Sequence, residues 1–187
     1  MDRVARWKSV LMSLTEWTVR DGWPKRVAIG LAVVSLTAVA VSPWYGIYVR
    51  DDESLPEYSF FIVKKGVLPQ RGEYAAFEMT QEYADRVEPK GPLRPYSRVG
   101  RMFLKAAYGV AGDPVRVEGR DVYVNDRKVA TVIEQDKYKQ RIEPASYPPV
   151  IPDGAYYLGL PHPRSFDSRV IGLVDVKDIK GVVWPIF

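Results

Sequence analysis

The chain has 187 residues, of which 47% are hydrophobic, and this is enough for one modest packed domain with an additional anchor. It contains no cysteine and a single histidine, which excludes disulfides, thiol nucleophiles, thiolate metal sites and any histidine-rich metal centre. The net charge of +4 is mild and the cations are interleaved with acidic residues, so we predict no nucleic-acid partner, no cofactor and no metal.

The first predicted element covers residues 1–24. Too few of its residues are apolar for it to cross a membrane. Those that are apolar recur at helical spacing, and they are Val4, Trp7, Val10, Leu11, Leu14 and Trp17. The spacing predicts a short amphipathic helix that lies on a membrane surface or contacts a partner.

The second element is an uncharged run that extends from Val27 to Val49. It is long enough to span a hydrocarbon core of about 30 Å. Its last residues include aromatic side chains of the kind that favour the membrane interface, namely Trp44, Tyr45 and Tyr48. We predict a transmembrane anchor over residues 25–49. The alternatives are a buried core helix and a cleaved secretory signal.

Charged residues flank this predicted anchor asymmetrically. Arg20, Lys25 and Arg26 precede the apolar run, whereas residues 50–53 after it are mostly acidic. The positive-inside rule then places residues 1–24 in the cytoplasm and the rest of the chain beyond the membrane. In a bacterium this arrangement describes a single-pass inner-membrane protein with a periplasmic domain, for which membrane lipid is a partner.

Residues 50–187 show a different pattern, in which short β-branched and aromatic runs alternate with turns rich in Gly, Pro and Asp. This pattern predicts a mainly β domain, with strands at residues 60–63, 74–77, 115–117, 122–124, 128–133, 155–158 and 182–184. Residues 119–121 and 125–127 are typical of hairpin turns.

Residues 78–99 interrupt this β pattern, because they are polar and rich in proline and charge. They predict an insertion outside the sheet. We interpret the insertion as a solvated loop, with a flap that contacts substrate as the alternative.

Few mechanisms of hydrolysis are compatible with a membrane-tethered β domain that has no cysteine and one histidine. Asp51, Asp52 and Glu53 are adjacent, and neighbours on an extended chain point apart, so they are poor partners for shared-proton chemistry. A serine with a lysine base remains. Lys105 lies in the apolar run of residues 102–108, which would desolvate its amine and lower its pKa. A lysine at a strand edge, or one that extends to water, is the structural alternative.

Four segments occur in an order that points to one protein family. They are Ser54–Pro56, Arg71–Phe77, Lys105–Asp113 and Ser165–Gly172, and we refer to them as the first to fourth family segments. Together, behind an N-terminal anchor, they resemble the type I signal peptidases, above all the TraF-like pilin-processing peptidases of conjugative transfer. The resemblance implies a signal-peptidase-like antiparallel β domain with a single N-terminal transmembrane helix.

The resemblance also implies a role for individual residues. Ser54 would attack the scissile carbonyl, and Lys105 would accept its proton and later protonate the leaving amine. Ser165 would hold the amine of Lys105 by a hydrogen bond. Asp167 and Arg169 would pair and fix the wall around the dyad. The backbone N–H of Ser54 would donate to the oxyanion.

Other positions complete or depart from the family pattern. Gly109, Gly112 and Asp113 are expected to form a turn that aims the base. Asp52 occupies the position at which many signal peptidases have a second oxyanion donor, which an ionised carboxylate does not provide. Ser59 is a rival nucleophile, but it lies in a strand-like run without a following proline, and His162 is a rival base in a proline-flanked turn.

By this resemblance the protein is a serine endopeptidase whose substrate is a precursor protein, above all a pilin precursor. It would remove a signal sequence or mature the pilin, in some relatives by closing a ring. A general type I signal peptidase and a non-catalytic assembly protein of a conjugation or secretion apparatus are the alternatives.

Overall fold

The structure is a computed structural model that describes residues 22–49, 59–87, 99–136 and 139–186. The predicted amphipathic segment, the first family segment and residues 88–98 of the insertion therefore lie outside the described residues. The chain divides into two units, Met1–Pro43 and Trp44–Phe187.

Helix α1 (Trp23–Val41) is the described element of the first unit. Pro24 lies in its first turn, where a missing N–H leaves no hydrogen bond unmade. At the other end, the N–H of Ser42 donates to Ala38 O and Val39 O and closes the last turn. The helix is long and apolar enough to cross a membrane, judged by length and composition, and none of its residues is buried.

The end of the predicted anchor differs from the sequence expectation. Residues 45–49 form strand β1 (Tyr45–Val49), which pairs with residues 60–64. The ring of Tyr48 packs against Phe61, with centroids 6.4 Å apart, and its hydroxyl donates to Met102 O at 3.2 Å. An uncharged run is compatible with helix or strand, and these contacts across the sheet select the strand.

The second unit is built on a seven-stranded sheet in the order β1-β2-β10-β3-β4-β8-β9, with every neighbouring pair antiparallel. Its remaining strands are β2 (Phe60–Lys65), β3 (Tyr74–Glu78), β4 (Met102–Gly109), β8 (Ala155–Gly159), β9 (Val174–Asp175) and β10 (Ile179–Pro185). This confirms the predicted antiparallel, mainly β fold.

A smaller sheet of three strands contains β5 (Val115–Glu118), β6 (Asp121–Val124) and β7 (Arg127–Thr131). Both predicted hairpin turns are present. Asn125 and Asp126 have φ angles of 48° and 59°, as the central residues of a type I′ turn require, and this turn matches the twist of the flanking strands. We refer to β5–β7 as the hairpin sheet.

The insertion at residues 78–99 is not the solvated loop that we predicted, as far as it is described. Glu78 belongs to β3, and residues 81–87 form helix α2 (Gln81–Val87). Tyr83 and Ala84 are buried, and the Tyr83 ring packs edge-on against Phe77 with centroids 6.3 Å apart. Two apolar side chains in a polar stretch thus direct this helix into the core.

Side chains on the two faces of the main sheet belong to different hydrophobic clusters. On β4, Phe103 and Ala107 belong to a cluster that also holds residues of β3, β8 and α2. Leu104, between them in sequence, belongs to a second cluster with residues of β2 and β10. Side chains therefore alternate between the two clusters along β4, as the pleat of a strand requires. A short helix, α3 (Ser168–Ile171), packs on the first cluster through Ile171.

Candidate active site

Lys105 is a buried lysine in the core-facing register of β4. It is 1% exposed, and alternation along the strand directs it to the same face as Phe103 and Ala107. Its partner across the β3–β4 ladder is Ala75, which is fully buried. Its Nζ lies 5.7 Å from the centroid of the Phe103 ring. The structure therefore places the predicted base among apolar side chains.

This position has a direct chemical consequence. Removal from water destabilises an ammonium far more than a neutral amine, so burial favours the uncharged form that a general base needs. Ala75, across the ladder, and Phe103, on the same strand, are apolar neighbours of Lys105. The edge-lysine and water-exposed alternatives are wrong for this residue.

The second and third family segments meet at the end of β4. The N–H of Gly72 donates to Ala107 O at 2.7 Å, and the N–H of Ala107 donates to Glu73 O at 2.9 Å. The Arg71 guanidinium donates to the Asp113 carboxylate, which also accepts the Val110 N–H at 2.9 Å. These contacts hold the strand that carries Lys105 from one side.

Hydrogen bonds favour the ionised form of Asp113. Burial by itself raises the pKa of this carboxyl. The hydrogen bonds from Val110, Asn125 and Arg71 outweigh this effect and hold the pKa below its ordinary value.

Gly109 and Gly112 occupy positions at which a Cβ is unfavourable. A Cβ added to Gly109 would lie 2.5 Å from Ile151 Cδ1 and 3.0 Å from Val124 Cγ1, so only glycine lets these parts of the chain pack so closely. Gly112 has a φ of +88°, a conformation that residues with a Cβ rarely adopt.

Asp167 and Arg169 form the predicted pair, and the pair is almost entirely buried, with the two residues 0% and 3% exposed. Arg169 Nε donates to Asp167 Oδ1 at 2.8 Å, and Nη2 donates to Oδ2 at 2.9 Å. Asp167 also caps α3 by accepting the Arg169 N–H. The remaining guanidinium donors reach the carbonyls of Leu160, His162 and Pro163.

This pair supports the strand next to the base. Gly159 on β8 is the partner of Ala106, so Leu160 lies one step further along the register, opposite Lys105. The N–H of Leu160 donates to Asp167 Oδ2 at 3.1 Å, and its carbonyl accepts a hydrogen bond from Arg169 Nη2. The Asp167–Arg169 pair thus takes the place of a neighbouring strand just beyond the end of the β8 ladder.

Ser165 is buried but does not make the predicted hydrogen bond. It is 6% exposed, its N–H donates to His162 O at 3.0 Å, and its Oγ has no hydrogen-bond partner among the described residues. The next residue, Phe166, packs against Phe103 with ring centroids 6.3 Å apart. A buried hydroxyl without a partner is destabilising by about 1–3 kcal/mol, so this Oγ is available for a bond that forms in another state.

The rival base and the rival nucleophile both lie at exposed positions. The imidazole of His162 is exposed, and its Nδ1 accepts the Arg164 N–H at 3.2 Å. The carbonyl oxygen of His162 accepts hydrogen bonds from Arg169 Nη1 and from the Ser165 N–H, and in this way it contributes to the wall. Ser59 is exposed at the start of β2. Ser54 and Asp52 lie outside the described residues.

Sequence reasoning missed two residues that complete the wall. The Oγ of Ser168 accepts the Leu158 N–H at 2.9 Å, and the hydroxyl of Tyr147 donates to Ser168 O at 2.6 Å. Ser168 was inside the fourth family segment and could have been recognised there. Tyr147 lies in a proline-rich stretch that carries no periodic signal.

The structure thus combines a mainly antiparallel β domain with a lysine buried on one of its central strands. The profile described as "Signal peptidase, peptidase S26" matches residues 20–187. The chain therefore belongs to the peptidase S26 signal peptidase family, a family of serine peptidases.

The chain is also similar to solved structures. Among 15 matching chains is a signal peptidase I from Enterococcus faecalis V583, which is 25% identical and matches with a TM-score of 0.37. The match covers 62% of this chain and 96% of that one. No curated protein sequence matches at the same level of significance.

Family membership carries two general conclusions. A signal peptidase acts on precursor proteins, so the substrate class is a polypeptide. The family and the apolar helix α1 together indicate that the chain is anchored in a membrane.

Proposed function

We propose that the protein is a membrane-anchored serine endopeptidase with a Ser/Lys dyad, in which Ser54 is the nucleophile and Lys105 the general base. The observation that carries the proposal is the amine of Lys105, 1% exposed on a core-facing position of a strand. A lysine in this setting is held toward its neutral form, and the family supplies the serine peptidase chemistry.

The reaction follows from these roles. Ser54 Oγ attacks the scissile carbonyl while Lys105 Nζ accepts its proton, and the Ser54 N–H donates to the developing oxyanion. Lys105 then protonates the leaving amine, and an ester on Ser54 remains. Water, or the amino terminus of the substrate itself, attacks this ester, so the product is either a cut chain or a ring.

The residues of the fourth family segment act as positioning residues. Ser165 accepts a hydrogen bond from the Lys105 amine in the substrate-bound state, which satisfies the Oγ that has no partner among the described residues. Asp167 and Arg169 keep Leu160 in the register opposite the base. The ionised carboxylate of Asp52 has no hydrogen to donate, so a different group provides the second hydrogen bond to the oxyanion.

The proposed substrate is a pilin precursor of a conjugative transfer apparatus. The order of the four family segments supports this branch. The cationic flank before α1 supports a single-pass inner-membrane topology with a cytoplasmic N-terminus and a periplasmic catalytic domain. A general signal peptidase is the second candidate, favoured by the breadth of the family match, and processing of unrelated precursors in vitro would distinguish it.

Substitution of the dyad tests the catalytic proposal. Ser54→Ala and Lys105→Met should each lower precursor cleavage by about 10³-fold or more, while circular dichroism and thermal unfolding show a folded chain. Lys105→Met keeps the volume of the buried side chain and removes only its amine. Mass spectrometry of a co-expressed pilin precursor separates uncut, cut and cyclic products.

Matched controls make this test specific. Ser59→Ala removes the rival hydroxyl, and Lys64→Met removes an amine from a less buried strand position of β2. Both variants should cleave the precursor at the rate of the unaltered chain.

The pH dependence is a second test of the dyad. In the same assay, activity should rise toward alkaline pH as Lys105 loses its proton. Persistent cleavage in both dyad variants, or an optimum near about pH 6, would reject the dyad.

A further inference from the structure

A cavity of about 810 Å³ lies beside the fourth family segment. Ser165, Phe166 and Arg169 belong to its wall, whereas Lys105 does not. Its volume falls within the range of pockets that enclose small ligands or short peptide segments. It is therefore a candidate binding site distinct from the base, with which it shares one wall.

The wall of this cavity combines apolar side chains with a cationic rim. The apolar part includes Val87, Val132, Ile142, Phe166, Val170 and Leu173. The rim contains Arg86, Arg141 and Arg164. We call it the arginine-rimmed cavity.

The charges of the rim are unequally compensated. Arg86 pairs with Glu82 at 2.6 Å and also donates to Ile171 O. Arg141 pairs with Glu143. Arg164 is exposed and, among the described residues, has no carboxylate partner. A cation without a partner is therefore available to a ligand at the rim.

The acidic groups of the wall do not cancel this excess. Glu143 accepts from Arg141 and lies 3.8 Å from Arg120 Nη1, so two cations already share it. Asp136 accepts the Gln140 N–H at 2.8 Å within its own loop. The buried Arg169 is neutralised by Asp167. The rim thus favours an anion, with Arg164 as its principal contact.

One side of the cavity is a strap of residues 143–148 that belongs to neither sheet. Pro144 and Pro148 lack the N–H that a strand would donate to a ladder, so the strap does not extend the hairpin sheet. Two hydrogen bonds tie it to the fourth family segment: the Ala145 N–H donates to Arg169 O at 3.0 Å, and the Tyr147 hydroxyl donates to Ser168 O at 2.6 Å. The strap is therefore connected to the wall around the base.

We propose that the arginine-rimmed cavity binds a carboxylate-bearing segment of the polypeptide substrate. The carboxylate pairs with Arg164, and an adjacent apolar side chain contacts the apolar wall. A polypeptide is the favoured ligand because a signal peptidase acts on precursor proteins, and in this respect the inference rests on the proposed function. The carboxylate belongs either to an acidic side chain or to a chain terminus.

Direct binding tests the proposal with the full-length chain in detergent, carrying Ser54→Ala so that no probe is consumed. The probes carry an uncharged BODIPY label on the N-terminus and are Ala-Leu-Ala-Leu-Ala with a free C-terminal carboxylate, its C-terminal amide, and the amide with one alanine replaced by aspartate. Anisotropy should show at least one of the acidic probes binding about five- to tenfold more tightly than the neutral amide. The stronger acidic probe identifies the source of the carboxylate.

Variants of the rim assign this preference to the cavity. Arg164→Gln should abolish the preference and Arg164→Lys should retain part of it, whereas Arg127→Gln, a matched change on exposed β7, should retain all of it. Equal binding of the three probes, or equal losses in Arg164→Gln and Arg127→Gln, would overturn the inference. Cleavage by the unaltered chain is measured separately, so failure here leaves the Ser54–Lys105 dyad standing, and failure of the dyad leaves the binding result standing.

Discussion

The wall around Lys105 and the hairpin sheet use the same charged residue types in opposite ways. In the wall, Asp167 and Arg169 are at most 3% exposed and their hydrogen bonds continue into the backbone of Leu160. In the hairpin sheet, Lys128 pairs with Asp121 at 2.7 Å, but the two side chains are 50% and 30% exposed. The ion-pair distances are similar in the two regions, but the pair in the wall is buried and the pair in the hairpin sheet is exposed to solvent.

This difference decides what each pair does. An exposed pair replaces interactions with water that its charges would make anyway, and salt screens it, so it contributes little to stability. A buried pair has lost its water, and removal of one partner leaves a charge that nothing solvates. The wall is therefore sensitive to substitution at a single residue, whereas the hairpin sheet tolerates substitution of its surface charges.

The largest effect is expected at the buried pair. Asp167→Ala leaves the Arg169 guanidinium and the Leu160 N–H without their partner, and it should lower the free energy of unfolding by about 3–5 kcal/mol. Urea unfolding followed by circular dichroism measures this change. Asp167→Asn keeps one acceptor oxygen and provides a folded variant if the alanine variant is too unstable.

Asp126→Asn, in the turn of the hairpin sheet, is the matched control for Asp167→Asn, because asparagine tolerates the positive φ of this turn position. Asp126 pairs with Arg116 at 2.6 Å, and its side chain is 87% exposed. Comparable losses from Asp167→Asn and Asp126→Asn would show that burial does not separate the two regions.

An intermediate effect is expected at Arg71–Asp113, where the side chains are 55% and 7% exposed. Asp113→Asn should lower the free energy of unfolding at neutral pH by about 1–3 kcal/mol, because the carboxylate accepts hydrogen bonds from Val110 and Arg71. Thermal unfolding from pH 7 to pH 3 measures the effect.

The pH dependence at Asp113 has a defined sign. Its folded-state pKa is below the ordinary value, so the stabilisation is present above about pH 4 and is lost as the pH falls through the folded-state pKa. The Asp113→Asn variant should therefore lose less stability than the unaltered chain on acidification. Parallel acid profiles of the two proteins would contradict this assignment.

The smallest effect is expected in the hairpin sheet. Lys128→Gln removes the ion pair with Asp121, and Thr131 Oγ1 still donates to Asp121 at 2.6 Å. We expect no measurable change in the midpoint of thermal unfolding, at low or high salt. A loss as large as that of Asp113→Asn would mean that exposure is a poor guide to these pairs.

Much of the β domain could be predicted because its signals are local. Alternating β-branched residues and turn residues located strands such as β6 and the type I′ turn at Asn125–Asp126. The family segments indicated Lys105 and the Asp167–Arg169 pair by their order along the chain. The limits of this reasoning appear at Tyr45–Val49, where an uncharged run was compatible with both helix and strand.

The sequence by itself determined the fold class and the family, because residue types, motif order and short periodicities are local features of the chain. Only the tertiary structure decided that Lys105 faces a core cluster, that Leu160 is held by Asp167 and Arg169, and that arginines from separate segments surround one cavity. These features arise from contacts between residues far apart in sequence, whose strength depends on burial. Burial is a property of the assembled fold, and no single segment contains it.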